Sequence, residues 1–250
     1  MPSAYLSDRG LLRIGGAGAR DFLQGLVTCD MTKVTPDAAA YGALLTPQGK
    51  ITVDFIVSER DDGFWLDCPA ALADDLVKRL RLYRLRLALD IENMSATHGV
   101  AVVWDAASHA TVDPRDSRLG ERVIGARGDL ALAHSEEAAA LYEAHRIEIG
   151  VPRGGVDFAY GDTFPHEANM DLLNGLDFRK GCYVGQEVVS RVEHRGLARR
   201  RVTHVEFEGV APPPGETIRA TARTRCFIHV ATGSGGADAP LPPQLLPFHL

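Results

Sequence analysis

The sequence predicts an α+β protein in which helices pack on one face of antiparallel sheets. Its 250 residues are 45% hydrophobic and 24% charged, values typical of a globular chain with a real core. Apolar residues alternate in several short runs and recur at helical spacing between them. In the first block these runs follow the order strand, helix, three strands, helix, strand, which lacks the strand–helix repeat of a parallel sheet.

The first block ends near residue 95, and its elements follow from local patterns. They are a strand at 10–14, a helix opened by Gly18, strands at 41–46 and 51–58, a strand at 64–68, a helix at 72–83 and a half-buried strand at 85–92. Pro47-Gln48-Gly49-Lys50 is a turn signature, so the second and third strands form a hairpin. In the strand at 51–58 the apolar residues share one face and leave Asp54 on the other, where it either faces solvent or acts as an acid.

The second block carries weaker strand patterns and one well-bounded helix. Strands are expected at 100–104, 122–124 and 130–133. Ser135 is a suitable N-cap and Gly150 a suitable stop for a helix between them. The residues beyond form a Gly-, Asp- and Pro-rich loop at 153–175, strands at 201–208 and 216–220, and an irregular Pro-rich end.

Composition and short motifs exclude several classes of protein. No segment reaches the roughly 18 apolar residues of a membrane span, and the first residues match neither a signal peptide nor a mitochondrial presequence. Four separated cysteines predict free thiols in a cytoplasmic protein. His166, His194 and His204 with Cys182 match no standard metal-site spacing, so no metal is predicted. Gly16-Ala17-Gly18 lacks the third glycine and the parallel context of a dinucleotide fingerprint.

Cys182 stands out on chemistry because it lies between two glycines in a basic stretch. Residues 179–201 contain seven Arg or Lys and two Glu, a net +5 within a chain of −6. Nearby cations favour the thiolate, which is the reactive and metal-binding form of cysteine. The alternative is a small buried side chain beside a tight turn. The basic run 191–201 is either a solvated surface, a contact for an acidic partner or an RNA contact.

The octapeptide around this cysteine resembles the signature of the YgfZ family of folate-binding proteins, which support iron–sulfur cluster assembly. It consists of Lys180, Gly181, Cys182, Tyr183, Val184, Gly185, Gln186 and Glu187. Further blocks resemble the family in the same order, at 21–28 with Asp30, at 45–50 with Asp54 and Phe55, at 146–152 and at 165–169. The resemblance covers about residues 8–205, far more than one short motif.

The family is related to the T-protein, the aminomethyltransferase of the glycine cleavage system, and the resemblance implies a GcvT-like fold. This fold has two interleaved, ferredoxin-like antiparallel sheet and helix units and a small C-terminal β-barrel, arranged around a tetrahydrofolate site. The implied segments are a first unit at 1–95, a second unit with its loop at 96–178, the signature segment at 179–200, and the barrel start with an irregular tail at 201–250. Residues 221–250 depart from the family, so we expect a frameshifted or otherwise altered end and an incomplete barrel.

The resemblance also implies a function, that of a monomeric folate-binding accessory protein for assembly or repair of [4Fe–4S] enzymes. In bacteria these clients include tRNA-modifying enzymes, and Cys182 is the residue through which the protein would act, with a transient iron–sulfur cluster. The implied partners are the iron–sulfur assembly machinery and the client enzymes.

The T-protein relationship leaves a tetrahydrofolate-dependent aminomethyl or methyl (C1) transferase as the alternative, with Asp54 as its acid. T-proteins have paired acids where this chain has Val53-Asp54, and the glutamate of their pterin loop is absent from 125–129, which argues against that reaction. For folate we expect Tyr142 to stack on the pterin, Arg146 to pair with glutamyl carboxylates, and Glu167 to accept from the pterin amine. Gln186 and Glu187 are expected to hold the Cys182 turn in shape.

Overall fold

The computed structural model describes residues 2–60, 63–105, 110–131, 135–195, 200–207 and 224–231. Its strands are β1 Ser3–Tyr5, β2 Arg9–Gly15, β3 Ala40–Leu45, β4 Ile51–Arg60, β5 Gly63–Pro69, β6 Asp90–Asn93, β7 His98–Val103, β8 Thr111–Val112, β9 Glu121–Ala126, β10 Arg200–Phe207 and β11 Thr224–Ala231. Its α-helices are α1 Ala19–Gln24, α2 Ala73–Arg84, α3 Arg127–Ala131, α4 Glu136–Ile149 and α5 Gln186–Arg195. Short 3₁₀ helices cover Met31–Lys33, Ala70–Leu72 and Ser117–Leu119. No helix in these ranges is long and apolar enough to cross a membrane.

The first sheet has the order β3-β4-β5-β2-β6, and every neighbouring pair in it is antiparallel. The predicted order of strands and helices in this block is therefore confirmed. One face of the sheet packs with α1 and α2 in a core that includes Leu12, Phe55 and Leu76. The other face is also covered, since Ile51 and Ile56 belong to a second core. A strand buried on both faces explains why Asp54 is buried instead of facing solvent.

The second sheet has the order β1-β7-β9-β8 and is also antiparallel. Its first strand comes from the very start of the chain, because Ser3 pairs with Val103 across β1 and β7. The predicted helix α4 has the expected ends. Ser135 Oγ accepts a hydrogen bond from the Ala138 amide at 3.0 Å, and Gly150 ends the helix at a left-handed φ of 88°.

Two predicted strands were wrong in part. In the segment 85–92 only Asp90–Asn93 pairs as a strand, because α2 continues to Arg84 and the chain then exposes Leu85 and Leu87. The short apolar run at 130–133 was predicted as a strand, but its described residues lie at the end of α3. A run of this length cannot be assigned to helix or strand by periodicity alone.

The irregular loop predicted at 153–175 contains no helix or strand in the structure, although it is well packed. Phe158, Met170 and Leu173 from this loop are buried in the second core. Further along, β10 and β11 pair antiparallel from Arg200–Ala231 to Phe207–Thr224, so residues 224–231 form a strand that we had not predicted. The predicted strand at 216–220, the Pro-rich end and any closure of a barrel lie outside the described residues. The segment boundaries given above stay predictions.

Candidate functional site around Cys182

Cys182 is exposed at the surface, in a turn that precedes helix α5. The alternative of a small buried side chain is therefore wrong. The entry into the turn is fixed by Asp177, whose Oδ1 accepts the backbone amides of Arg179 at 2.8 Å and Lys180 at 3.0 Å. Although burial opposes it, these bonds and the ion pair with Lys33 lower the pKa of Asp177, which stays a carboxylate acceptor.

Lys180 anchors the turn to the first unit. Its buried ammonium donates to the backbone carbonyls of Val27 at 2.5 Å and Cys29 at 2.7 Å. Burial lowers the pKa of this ammonium. We had expected the cations next to Cys182 to act as thiolate counterions, but the Lys180 charge lies at these two carbonyls. Its role in the structure is to hold the segment in place.

The end of the turn packs on the predicted hairpin. Gly185 has a left-handed φ of 81°, and a Cβ atom there would lie 2.6 Å from the Thr46 carbonyl oxygen. Gln186 closes the turn, because its Oε1 accepts the Tyr183 amide at 3.3 Å. Glu187 is exposed in the first turn of α5. Gly181 has open space around it, so a ligand or a partner backbone can approach Cys182 from that side.

The three described cysteine side chains differ sharply in accessibility, which gives a first test. Cys29 and Cys68 are buried, and burial raises the pKa of each thiol to about 12. We expect Cys182 to react with iodoacetamide at pH 8 at least about 100-fold faster than either, since only accessible thiolate reacts. Mass-spectrometric peptide mapping in a Cys226→Ser background measures the three rates. Equal rates in the native protein would contradict the exposed position of Cys182.

Asp54 of β4 is buried, and its carboxylate lies between two tyrosine hydroxyls. Tyr41 donates to its Oδ2 at 2.9 Å, and Tyr160 donates to its Oδ1. Burial and the neighbouring carboxylate raise the pKa of both phenols, which therefore remain proton donors. Both oxygens of Asp54 thus act as acceptors, an arrangement unlike that of a general acid with a free proton to give.

A buried ionic network lies beside this carboxylate and joins the two sheets. It consists of Arg9, Asp67, Asp113, Arg115 and Arg122. Arg122 of β9 contacts Asp67 of β5 and also donates to Asp113 at 2.9 Å. Arg115 adds two side-chain bonds to Asp113, at 3.0 and 2.8 Å. The network was not predicted from the sequence.

Two of the three residues expected to bind folate are bonded within the fold. Arg146 is buried, and its guanidinium is bonded to Glu143, to Asp157 at 2.5 Å and to the Val151 carbonyl at 3.0 Å. It therefore holds the end of α4, and its predicted pairing with a folate carboxylate does not fit. Glu167 likewise accepts the Phe164 amide at 2.8 Å and shapes its own loop.

Tyr142 differs from the other two expected folate residues. Its ring packs on Trp104 at 5.3 Å between centroids, so stacking on a pterin does not fit that face. Its buried hydroxyl, however, makes no hydrogen bond within the described part of the chain. Among the described atoms of these three residues, the Tyr142 hydroxyl is the one that is fully buried and has no hydrogen-bond partner, so a ligand could use it.

One group of described side chains has ligand atoms close enough to hold a metal ion. His166, Asp171 and Glu193 offer atoms within 4.8 Å of one another. Arg201 already bonds both oxygens of Asp171, at 2.8 and 2.6 Å, which places a positive charge where a cation would bind. The same pair removes Arg201 from the basic run expected to meet an acidic or RNA partner. Residues 196–199 of that run and the His204 side chain lie outside the described residues.

Comparisons with known proteins show which family the chain belongs to. A family model described as the GCVT N-terminal domain matches residues 6–115. The human protein "Iron-sulfur cluster assembly factor IBA57, mitochondrial" is 33% identical over 249 residues, which cover 88% of this chain and 70% of the human protein. The chain belongs to the IBA57 family of iron–sulfur cluster assembly factors. The YgfZ resemblance thus holds at the level of GCVT-related assembly factors.

Other members of the IBA57 family and one solved structure extend the comparison. The homologue from Mycosarcoma maydis is 32% identical over 86% of this chain, which spans 59% of that protein. The chain also matches the crystal structure of the glycine cleavage system aminomethyltransferase T from Bartonella henselae. The match covers 82% of this chain and 66% of the chain in that structure. Its TM-score is 0.63 at 15% sequence identity, so it shows a GcvT-like fold with antiparallel sheets.

The prediction of a cytoplasmic protein was wrong by this comparison. The relatives from the fungus, human and mouse are all named as mitochondrial. The prediction depended on free cysteines and on the composition of the first residues. Free thiols indicate a reducing compartment and do not distinguish one such compartment from another.

Proposed function

We propose that this protein supports the assembly or repair of [4Fe–4S] enzymes by presenting the Cys182 thiol to a cluster or to a partner that carries one. The observation that carries the proposal is the exposed position of Cys182 on a turn held by Lys180, Asp177 and Gly185. Membership of the IBA57 family supports the same role. In bacteria the clients would include tRNA-modifying enzymes.

The chemistry of a cluster defines what Cys182 does. Iron–sulfur clusters are held mostly by four cysteine thiolates. Among the side chains that the structure describes, Cys182 is the one exposed cysteine, so the described part of this chain supplies one cysteine ligand and a partner supplies others. The open space beside Gly181 lets a partner backbone approach the sulfur. A single ligand favours transfer over storage, because a cluster held by one thiolate of this chain can pass to another protein.

The test is replacement of Cys182 by serine in cells that depend on this protein. We expect the activity of [4Fe–4S] enzymes to fall at least about tenfold, because a serine hydroxyl is a poor ligand for iron–sulfur clusters. The matched control is Cys29→Ala, which removes a buried thiol and should leave that activity near wild type. Full [4Fe–4S] activity with Cys182→Ser, at equal protein level, would contradict the proposal.

Tetrahydrofolate binding is part of the proposal and is supported by the YgfZ-like signature and the GCVT N-terminal domain match. Two of the expected folate ligands, Arg146 and Glu167, are already bonded within the fold. A titration with tetrahydrofolate should saturate for the wild-type protein and weaken for Tyr142→Phe, which removes only the unpartnered hydroxyl. Absence of saturable binding would contradict the folate proposal and leave the role of Cys182 standing.

The C1 transferase is the alternative function, and the contacts of Asp54 count against it. Turnover of an aminomethyl donor with tetrahydrofolate, abolished by Asp54→Asn, would establish the transferase. Retention of [4Fe–4S] enzyme activity by Asp54→Asn in cells favours the assembly role.

A further inference from the structure

The end of helix α2 and the turn that follows it expose apolar and basic side chains together. Residues 78–87, here called the Leu/Arg segment, read Lys-Arg-Leu-Arg-Leu-Tyr-Arg-Leu-Arg-Leu, with five cations and no acid. The exposed fractions are 76% for Leu82, 40% for Tyr83, 85% for Leu85 and 48% for Leu87. Four of the nine large apolar residues exposed in the described ranges therefore lie within six consecutive positions. Exposed apolar patches rimmed by polar residues are typical of interaction sites.

Hydrogen bonds fix this segment in its exposed conformation. Arg81 donates to the Ile91 carbonyl at 2.7 Å, and Arg84 donates to the Leu89 carbonyl at 2.8 Å. The Leu87 amide bonds the Arg84 carbonyl at 2.9 Å. Leu85 has a φ of 51°, a conformation that costs a branched residue energy and persists only where the surroundings impose it. The leucines are thus presented by an ordered turn.

The segment and the Cys182 turn pack at opposite edges of the first sheet. Helix α2 packs on β2 and β6, at one edge of the first sheet. The Cys182 turn packs on the hairpin between β3 and β4, at the opposite edge. A partner bound to the Leu/Arg segment therefore leaves Cys182 open.

We propose that the Leu/Arg segment is a docking surface for an acidic protein segment with an apolar centre. Leucine and tyrosine supply the apolar contact area, and the exposed Arg79 and Arg86 pair with carboxylates, which gives the apolar centre and polar rim of a protein–protein interface. A second copy of this chain is disfavoured, because the exposed Arg79 and Arg86 of one copy would face the same cations of the other. Nucleic acid would satisfy the arginines but would leave Leu82, Leu85 and Leu87 uncovered. The proposal is independent of the function proposed for Cys182.

The test uses a fluorescent synthetic peptide that forms an amphipathic helix of leucine and glutamate, titrated into the full chain and followed by anisotropy. We expect Leu85→Ser and Arg86→Glu each to weaken binding at least about tenfold, without a change in thermal stability, because both side chains are exposed. The matched controls are Leu141→Ser, an exposed leucine on α4, and Arg195→Glu, an exposed arginine on α5. Both controls should bind like wild type.

Several outcomes would overturn the proposal. One is no binding of the peptide, and another is equal weakening by Arg195→Glu, which would indicate general charge attraction. A third is undiminished binding of a peptide whose glutamates are replaced by glutamine. Vesicles of equal parts phosphatidylcholine and phosphatidylglycerol, and a single-stranded RNA oligonucleotide, are tested alongside. Preferential binding of either through Leu85 would assign the segment to a membrane surface or to RNA instead.

Discussion

Replacing Asp113 by asparagine is expected to lower the free energy of unfolding by about 3 to 5 kcal/mol. The Asp113 side chain is fully buried between Arg115 and Arg122, and asparagine leaves both guanidinium groups without its charge. Urea unfolding followed by circular dichroism measures the loss.

The control for Asp113→Asn is built into the same loop. Asp116 bonds Arg118 with the same pattern, through Oδ1 to the amide and Nε and through Oδ2 to the terminal nitrogen. That pair is far more exposed, so Asp116→Asn should cost about 1 kcal/mol or less. If the two substitutions lower the free energy of unfolding equally, burial does not explain the contribution of the Asp113 network to stability.

The pH dependence of unfolding is a second test of the contribution of the Asp113 carboxylate to stability. Burial alone would raise the pKa of Asp113, but Arg115 and Arg122 together lower it below its ordinary value. The unfolded chain therefore binds the proton more readily, and wild-type stability from this group is present above about pH 4 and is lost as pH falls below it. The difference between wild type and Asp113→Asn should shrink over that range.

Local signals in the sequence predicted the parts of the fold that depend on local chemistry. The hairpin turn at 47–50 and the two ends of α4, Ser135 and Gly150, formed as expected, because capping and turn geometry are set within a few residues. The segment 85–92 was misjudged because alternation of leucine and arginine reads equally well as a half-buried strand. Whether Leu85 is covered depends on neighbours that periodicity does not reveal.

The candidate site likewise has a part that the sequence predicts and a part that it does not. Cys182 could be found from its glycines and neighbouring cations, which are adjacent in sequence. Its support could not, because Lys180 bonds carbonyls about 150 residues earlier in the chain, at Val27 and Cys29. The ionic network is equally non-local, since Arg122 meets Asp67 across 55 residues. A single sequence contains no signal for such pairs.

The two glycines that flank Cys182 look alike in the sequence and should behave in opposite ways on substitution. Gly185→Ala places a Cβ 2.6 Å from the Thr46 carbonyl oxygen at a left-handed φ of 81°. Backbone atoms cannot yield as a flexible side chain does, so we expect the turn to separate from the hairpin and stability to fall by about 2 to 4 kcal/mol. Gly181→Ala meets no atom within 4 Å and should change stability by less than about 0.5 kcal/mol.

Measured together in cells, these variants distinguish the effect of losing the Cys182 thiol from the effect of displacing it. Gly185→Ala keeps Cys182 but displaces it, so [4Fe–4S] enzyme activity should fall about as far as with Cys182→Ser. Gly181→Ala should preserve stability, and any loss of activity it causes would then report a partner backbone that approaches the open side of the turn. If Gly185→Ala retained full activity and stability, the hairpin contact would not be what positions the cysteine, and Lys180 and Asp177 would have to do so.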